Sequence, residues 1–290
     1  DKSVKFNYQS IGSGGGIKQI TAQTVDFGAS DAFLSDAQLN AAPGKLLHIP
    51  TVMGAVVVTY NLPGVPKGLN LKVDDVADIF LGKITKWNDP RIADDNKGVN
   101  LPDKAIIVVH RSDGSGTTSI FTDFLSGVSS EWQTKVGKGT SVKWPVGLGG
   151  KGNEGVAGQV KTTQYTIGYV ELAYAFENKL PYATLKNKAG SWVEPSIQTT
   201  SAAAAAAVKS MPADYRISLV NQPAKDAYPI VGFTWLLVYQ DQKDKANGKK
   251  LVEFLNWSLH KGQKMAAPML YAPLPANVVK MVENTIKSIK

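Results

Sequence analysis

The sequence predicts an α/β chain of doubly wound architecture, and three observations carry that reading. Short runs rich in β-branched residues alternate with segments of 3.6-residue apolar periodicity along the whole length. Most of the strand candidates are nearly all apolar, as expected of parallel strands buried on both faces. Two glycine-rich, hydroxyl-bearing loops, SIGSGGGIKQI at residues 10–20 and HRSDGSGTTSIF at residues 110–121, each run straight into a helical pattern. In doubly wound sheets ligands sit beyond the carboxyl ends of the strands, and both loops fall at such ends.

Taken in chain order, strands are expected at residues 25–29, 46–51, 55–61, 105–110, 166–170 and 233–240. One helix is expected to start at Asp74, a good N-cap, with Val76, Ile79 and Phe80 on one face. Another places Ile120, Phe121, Phe124 and Leu125 on a shared side, and Leu251, Phe254, Leu255 and Leu259 repeat the pattern near the end. Alanine is the best helix former, so the run Ala202 to Ala207 reads as a surface helix between Gln198 and Met211. NLPGVPKG and NQPAKDAYP are punctuated by proline and read as turns, and no internal repeat is visible.

At 290 residues and 43% hydrophobic, the chain can bury a sizeable core and form two domains or one large one. No apolar run approaches the roughly 20 residues that span a bilayer. DKSVKFNYQS has neither the apolar centre nor the length of a signal peptide, so a removed targeting segment is expected. With no cysteine, disulfides, thiolate nucleophiles and Cys-ligated metal sites are excluded. The formal charge of +8 is spread over lysines that stand singly or in pairs, often among acids. That is a solvated face, without the basic runs interleaved with aromatics of a nucleic-acid groove, and no nucleic-acid partner is expected.

Several motifs carry no function at this level. GLGGKG at residues 147–152 fits the dinucleotide pattern G-x-G-x-x-G, with Glu171 loosely at the acidic position, but KWP before it leaves little room for a full strand. Ile11 and Asp113 stand where a nucleophile elbow needs its first glycine, so neither Ser13 nor Ser115 reads as a hydrolase nucleophile. His48, His110 and His260 are far apart and lack metal-ligand spacing; no metal and no cofactor are expected.

The two loops outline an anion site. Helix N-termini present free backbone N–H groups and partial positive charge. Arg111 can add a charge-assisted, two-pronged contact, and the hydroxyls of Ser13, Ser115 and Thr117 share the remaining oxygens. VDFGASD brings a carboxylate, Asp31, to the end of a strand-like run. A carboxylate beside an anion site makes sense if the anion carries a proton: hydrogen phosphate can donate to it, whereas ionised sulfate cannot.

These segments resemble a known family. IGSGGGIKQI followed by VDFGASDAFLSD, then VVHRSDGSGTTSIFTDFL, KWPVGLGGKGNEGVAG, TIGYVELAYA, the DAYPI turn and WLLVYQDQK, is similar in order and over nearly the whole chain to the periplasmic phosphate-binding protein of bacterial high-affinity phosphate ABC transporters. The resemblance implies a two-lobed periplasmic-binding-protein fold, each lobe a doubly wound sheet, hinged with two crossovers near Gly54–Ala55 and Ile230–Val231. One lobe would comprise residues 1–55 and 231–290, the other residues 56–230. It implies phosphate ligands at Ser13, Asp31, Arg111, Ser115, Gly116 and Thr117, with Asp113 holding the Arg111 fork. It also implies a monomer outside the cytoplasm that delivers phosphate to permease subunits in the inner membrane, without catalysis. The rivals are a receptor for sulfate or molybdate, which Asp31 disfavours, and a phosphomonoester hydrolase, for which no base or nucleophile is visible. The family pattern places a further strand and a ligand loop before the segment matching KFNYQS; that strand and loop are missing from the numbered sequence and are expected to belong to a longer mature protein.

Overall fold

A computed structural model describes residues 4–65 and 67–290. The first three residues of the proposed first lobe and Pro66 of the NLPGVPKG turn lie outside the described residues. The described strands are β1 (Gly28–Ser30), β2 (Leu46–Tyr60), β3 (Asn70–Lys72), β4 (Ile107–Arg111), β5 (Leu148–Gly150), β6 (Thr166–Glu171), β7 (Thr184–Lys186), β8 (Trp192–Val193), β9 (Val231–Tyr239) and β10 (Ala272–Pro273). The helices are α1 (Gly12–Thr21), α2 (Asp36–Ala41), α3 (Val73–Phe80), α4 (Pro90–Ala93), α5 (Gly116–Val128), α6 (Ser130–Lys135), α7 (Gly152–Thr162), α8 (Leu172–Glu177), α9 (Ile197–Ala207), α10 (Lys245–Leu259) and α11 (Ala276–Ile286).

The organising element is β2. Its residues 46–55 pair antiparallel with β9, and Val56–Tyr60 pair antiparallel with β6. The strand therefore changes partner at Gly54–Ala55 and joins two halves of a sheet ordered β1-β9-β2-β6-β4-β5, with β10 also on β2. The sequence suggests two strands here, at residues 46–51 and 55–61, because the less apolar Thr51 and the glycine Gly54 interrupt the run. The ladder carries both, with a register shift between Pro50 and Val52. β1 pairs on one edge alone among the described residues, and its residues line a broad cleft.

The reading of most strand candidates as buried parallel strands is corrected in part. β4 runs parallel to β5 and β6, and β3 to β7, but β1, β2, β6 and β9 meet antiparallel. Apolar composition reports burial on both faces, not strand direction, and helices bury both faces of this sheet too. Adjacent residues of β6 show it: Gly168 faces Val156 and Val160 of α7, while the Tyr169 ring stacks at 4.2 Å on Phe121 of α5. So α5 and α7, which follow the neighbouring strands β4 and β5, lie on opposite faces. The crevice between their first turns is the topological switch point of that half.

The core follows the expected helix faces, with Val76, Ile79, Phe80, Phe121, Phe124, Leu125, Leu251, Leu255 and Leu259 buried. Asp74 is not the N-cap. The helix begins one residue before it, at Val73, the cap position belongs to Lys72, and Asp74 adds its charge to the first turn. The alanine helix is more than a surface element: Ala203, Ala204 and Ala207 are buried, and small side chains allow the close approach. Among the described residues no helix is long and apolar enough to cross a membrane.

Candidate functional site

One wall of the cleft is built on α1 and β1. The glycine run lets the helix lie against the strand backbone: a Cβ at Gly28 would stand 2.6 Å from the Gly16 carbonyl, and one at Gly16 would collide with the Ala29 carbonyl. This contact sets Ser13, in the first turn, beside the residue that follows β1, and the Ser13 hydroxyl accepts from the Asp31 N–H at 3.0 Å. Asp31 is fixed by Thr234 of β9, whose hydroxyl donates to Oδ1 at 2.6 Å. That bond leaves Oδ2 as the oxygen turned toward Gly116 across the cleft, 2.6 Å from where a Cβ there would stand. Burial pushes the Asp31 carboxyl above its usual range, opposed by the Thr234 hydrogen bond and the Arg111 charge.

The other wall is built on the carboxyl ends of β4 and β5. Arg111, the last residue of β4, is 6% exposed and forms a two-pronged pair with Asp113, Nε to Oδ1 at 2.8 Å and an Nη to Oδ2 at 2.6 Å. Asp113 also accepts from the Gly152 N–H at the start of α7, at 3.0 Å. Burial alone would raise the Asp113 carboxyl, but the bonds from Arg111 and Gly152 hold it below the usual carboxylate range. Ser115 caps α5, accepting from the Thr118 N–H at 3.0 Å, and the Gly116 and Thr117 backbone opens that helix into the cleft. The Asn153 amide donates to the Thr117 hydroxyl at 3.3 Å.

A common logic runs through the three hydroxyls. Ser13, Ser115 and Thr117 each already accept one protein N–H, so each hydroxyl proton is left to be given to a ligand. Together with Arg111 and the first turn of α5 they form a surplus of donors, against which stands one oriented acceptor, Asp31 Oδ2. The walls also meet: the Gly14 N–H donates to the Gly114 carbonyl at 2.9 Å, a closed arrangement of the two halves. Ser13, Asp31, Arg111, Ser115, Gly116 and Thr117 thus converge on one cleft with Asp113 behind them.

A family model described as PBP superfamily domain matches residues 1–261. The phosphate-binding protein PstS of Xylella fastidiosa is 50% identical over 280 residues, covering 96% of this chain and 76% of that protein. The chain belongs to this family. The archaeal PstS of Methanocaldococcus jannaschii is 43% identical over 311 residues, covering 99% of this chain and 80% of the relative. Among solved structures, a high affinity periplasmic phosphate-binding protein (PfluDING) bound with phosphate superposes with a TM-score of 0.74 at 22% identity, covering 94% of this chain and 85% of that one. A putative phosphate ABC transporter substrate-binding protein from Clostridium perfringens superposes with a TM-score of 0.62 at 19% identity, covering 91% and 86%. The two-lobed PBP fold read from the sequence is the fold these relatives share.

Within this PBP fold, several residues escaped the sequence reading. GLGGKG is neither a dinucleotide loop nor a plain turn. It forms β5 and the turn into α7, and its last glycine supplies the N–H that holds Asp113. Thr234 and Glu171 carry a legible signal in retrospect, each being a polar residue within or ending an otherwise apolar strand. Tyr169 carries none: its hydroxyl meets Thr118 at 2.6 Å and accepts from the Arg111 N–H at 3.2 Å, which buttresses the arginine from behind. The histidines are placed elsewhere. His48 is buried and accepts from the Leu34 N–H, His110 stacks on Trp144 at 4.8 Å, and His260 pairs with Glu283. Among the described residues no cluster of side chains suits a metal ion.

Proposed function

We propose that this protein binds hydrogen phosphate between its two halves, through Ser13, Asp31, Arg111, Ser115, Gly116 and Thr117, and carries it to the permease of an ABC transporter. The donor surplus paired with the acceptor Asp31 Oδ2, held in place by Thr234 and turned toward Gly116, carries the reading. A tetrahedral anion with one proton satisfies every group, whereas an unprotonated one leaves a carboxylate facing a bare oxygen at a cost in affinity. The names of the relatives, phosphate-binding proteins in bacteria and an archaeon, support the same ligand.

The lobes in this reading are residues 1–55 with 231–290, and residues 56–230. They meet where β2 changes partner and where Ile230 leads into β9. Ligands from opposite lobes let the anion favour the closed form, which is the form a permease would recognise. The chain works outside the cytoplasm as a monomer and binds its ligand without chemistry on it, as the names of its relatives, phosphate-binding proteins, support. Calorimetry with phosphate and with sulfate at neutral pH tests the reading. Phosphate should bind and sulfate should not compete; equal affinities, or turnover of a chromogenic phosphate ester, would overturn it.

A further inference from the structure

A second carboxyl, that of Glu171, also lines the cleft. It ends β6 opposite Val56, is 6% exposed, and lies against Gly54 at the point where β2 changes partner. A Cβ at Gly54 would stand 2.6 Å from its Oε2 and 3.1 Å from the Tyr271 ring, so the glycine makes the room this carboxyl occupies. Its backbone N–H donates to the Asn153 side chain, which in turn reaches Thr117. No hydrogen bond or ion pair reaches the carboxyl itself among the described residues.

The charges around it explain why such a group is unusual here. Asp31 acts on it from the loop after β1 and Arg111 from β4, and Tyr174 of α8 and Tyr271 before β10 stand within reach of its charge; Glu154 of α7 and Glu177 of α8 lie further out, beside Tyr174, and on β2 it meets Gly54 and pairs opposite Val56. Arg111 is already engaged by Asp113. An incoming anion would therefore meet Asp31, which the reading above needs ionised as its acceptor, and a second ionised carboxylate that only Arg111, already paired with Asp113, offsets in part.

We propose that Glu171 takes up a proton when the lobes close over the anion, so that ligand binding is linked to protonation of this carboxyl at the seam between them. The proposal rests on the phosphate reading of the site. In an open form Glu171 would face water and ionise; closure removes that water and brings negative charge on both sides, and the neutral acid is the form that fits. Burial first, and then the Asp31 charge, drive the carboxyl well above its ordinary range in the closed arrangement, with Arg111 opposing.

Calorimetric titration of the full chain with inorganic phosphate, in alkaline buffers of unlike ionisation enthalpy, counts the protons exchanged. Free phosphate is then almost entirely the dianion and contributes no change of its own. The wild type should take up as much as about one proton, its affinity falling by up to about tenfold per pH unit. Glu171→Gln should bind phosphate with that slope removed, and Glu171→Asp should keep it. On the wild type, phosphate addition should produce a protonated-carboxyl infrared band that shifts with ¹³C-labelled glutamate, a readout that needs no variant. No proton uptake by the wild type, equal uptake by Glu171→Gln, an absent band, or lost binding in a Glu171→Gln protein that still melts cooperatively would each overturn the proposal. Absence of phosphate binding by the wild type would instead remove the reading of the site, and this linkage with it.

Discussion

The α1/β1 wall and the β4/β5 wall differ in how each holds its key charge. Arg111 is clamped by a two-pronged ion pair, backed by Tyr169, and set in front of an aromatic cluster of Phe80, Phe121, Trp144 and Tyr169. Asp31 hangs on single bonds from Thr234 to its side chain and from its own N–H to Ser13. The cation wall is built for affinity, since it offers donors to any tetrahedral anion. In the proposed reading the acceptor wall serves choice, because its one carboxylate oxygen would set which anions are tolerated.

The largest expected effect tests whether the acceptor wall is also the acid-labile one. His48 of β2, outside the cleft but in the half that carries this wall, is buried and held neutral by accepting the Leu34 N–H, and burial, helped by Arg216, lowers it to about 4. A histidine lowered on folding contributes stability that is present above its unfolded value near 6.5 and lost as pH falls toward its folded one. Acidification across that window should cost up to about 3.5 kcal/mol, by the usual 1.4 kcal/mol per pKa unit. Denaturant melts of wild type and His48→Gln check it; parallel pH profiles for the two would place the acid sensitivity elsewhere.

Arg111→Lys follows. An ammonium cannot keep both prongs on Asp113, and phosphate affinity should drop by about 1.5 to 3 kcal/mol, the scale of hydrogen bonds to charged groups, with less change in folding stability. Wild-type calorimetric affinity would show that the fork is dispensable and erase the distinction between the walls.

Asp31→Asn should lower the phosphate-to-sulfate affinity ratio by about tenfold or more, as an amide can turn an N–H to an unprotonated oxygen. The raised Asp31 carboxyl predicts the same trend in the wild type: as pH falls through its value it becomes a donor, so sulfate should begin to compete in acid and not at neutral pH. An unchanged ratio in the variant would take Asp31 out of the site. Thr234→Val is the mildest test. With Oδ1 no longer held, the carboxylate should rotate and selectivity should slip by about 1 kcal/mol, the worth of one ordinary hydrogen bond; titration with both anions would reveal it, and an unchanged ratio would mean that packing alone orients Asp31.

Alternation of apolar strands and amphipathic helices, and the two glycine-hydroxyl loops, were legible because each depends on residues close together in sequence. The positions proposed as ligands could be named for the same reason: Arg111, Asp113, Ser115, Gly116 and Thr117 lie where β4 gives way to α5, Asp31 directly after β1, and Ser13 in the glycine-rich first turn of α1. What stayed hidden depends on partners far away in the chain. Thr234 touches Asp31 from 203 residues on. Strand direction was misread because burial on both faces looks the same in parallel and antiparallel ladders. The merging of two expected strands into β2 was missed because a glycine reads as a break, whereas Gly54 serves to admit the Glu171 carboxyl.

The sequence by itself determined which segments become strands and helices and which loops carry anion-binding donors, for these follow from local periodicity and from backbone groups left free at helix starts. Only the tertiary structure decided which oxygen of Asp31 is turned toward Gly116, which proton each hydroxyl has left to give, and that a second carboxyl is buried at the seam. Those depend on hydrogen bonds and on exclusion of water between segments that sequence spacing does not bring together.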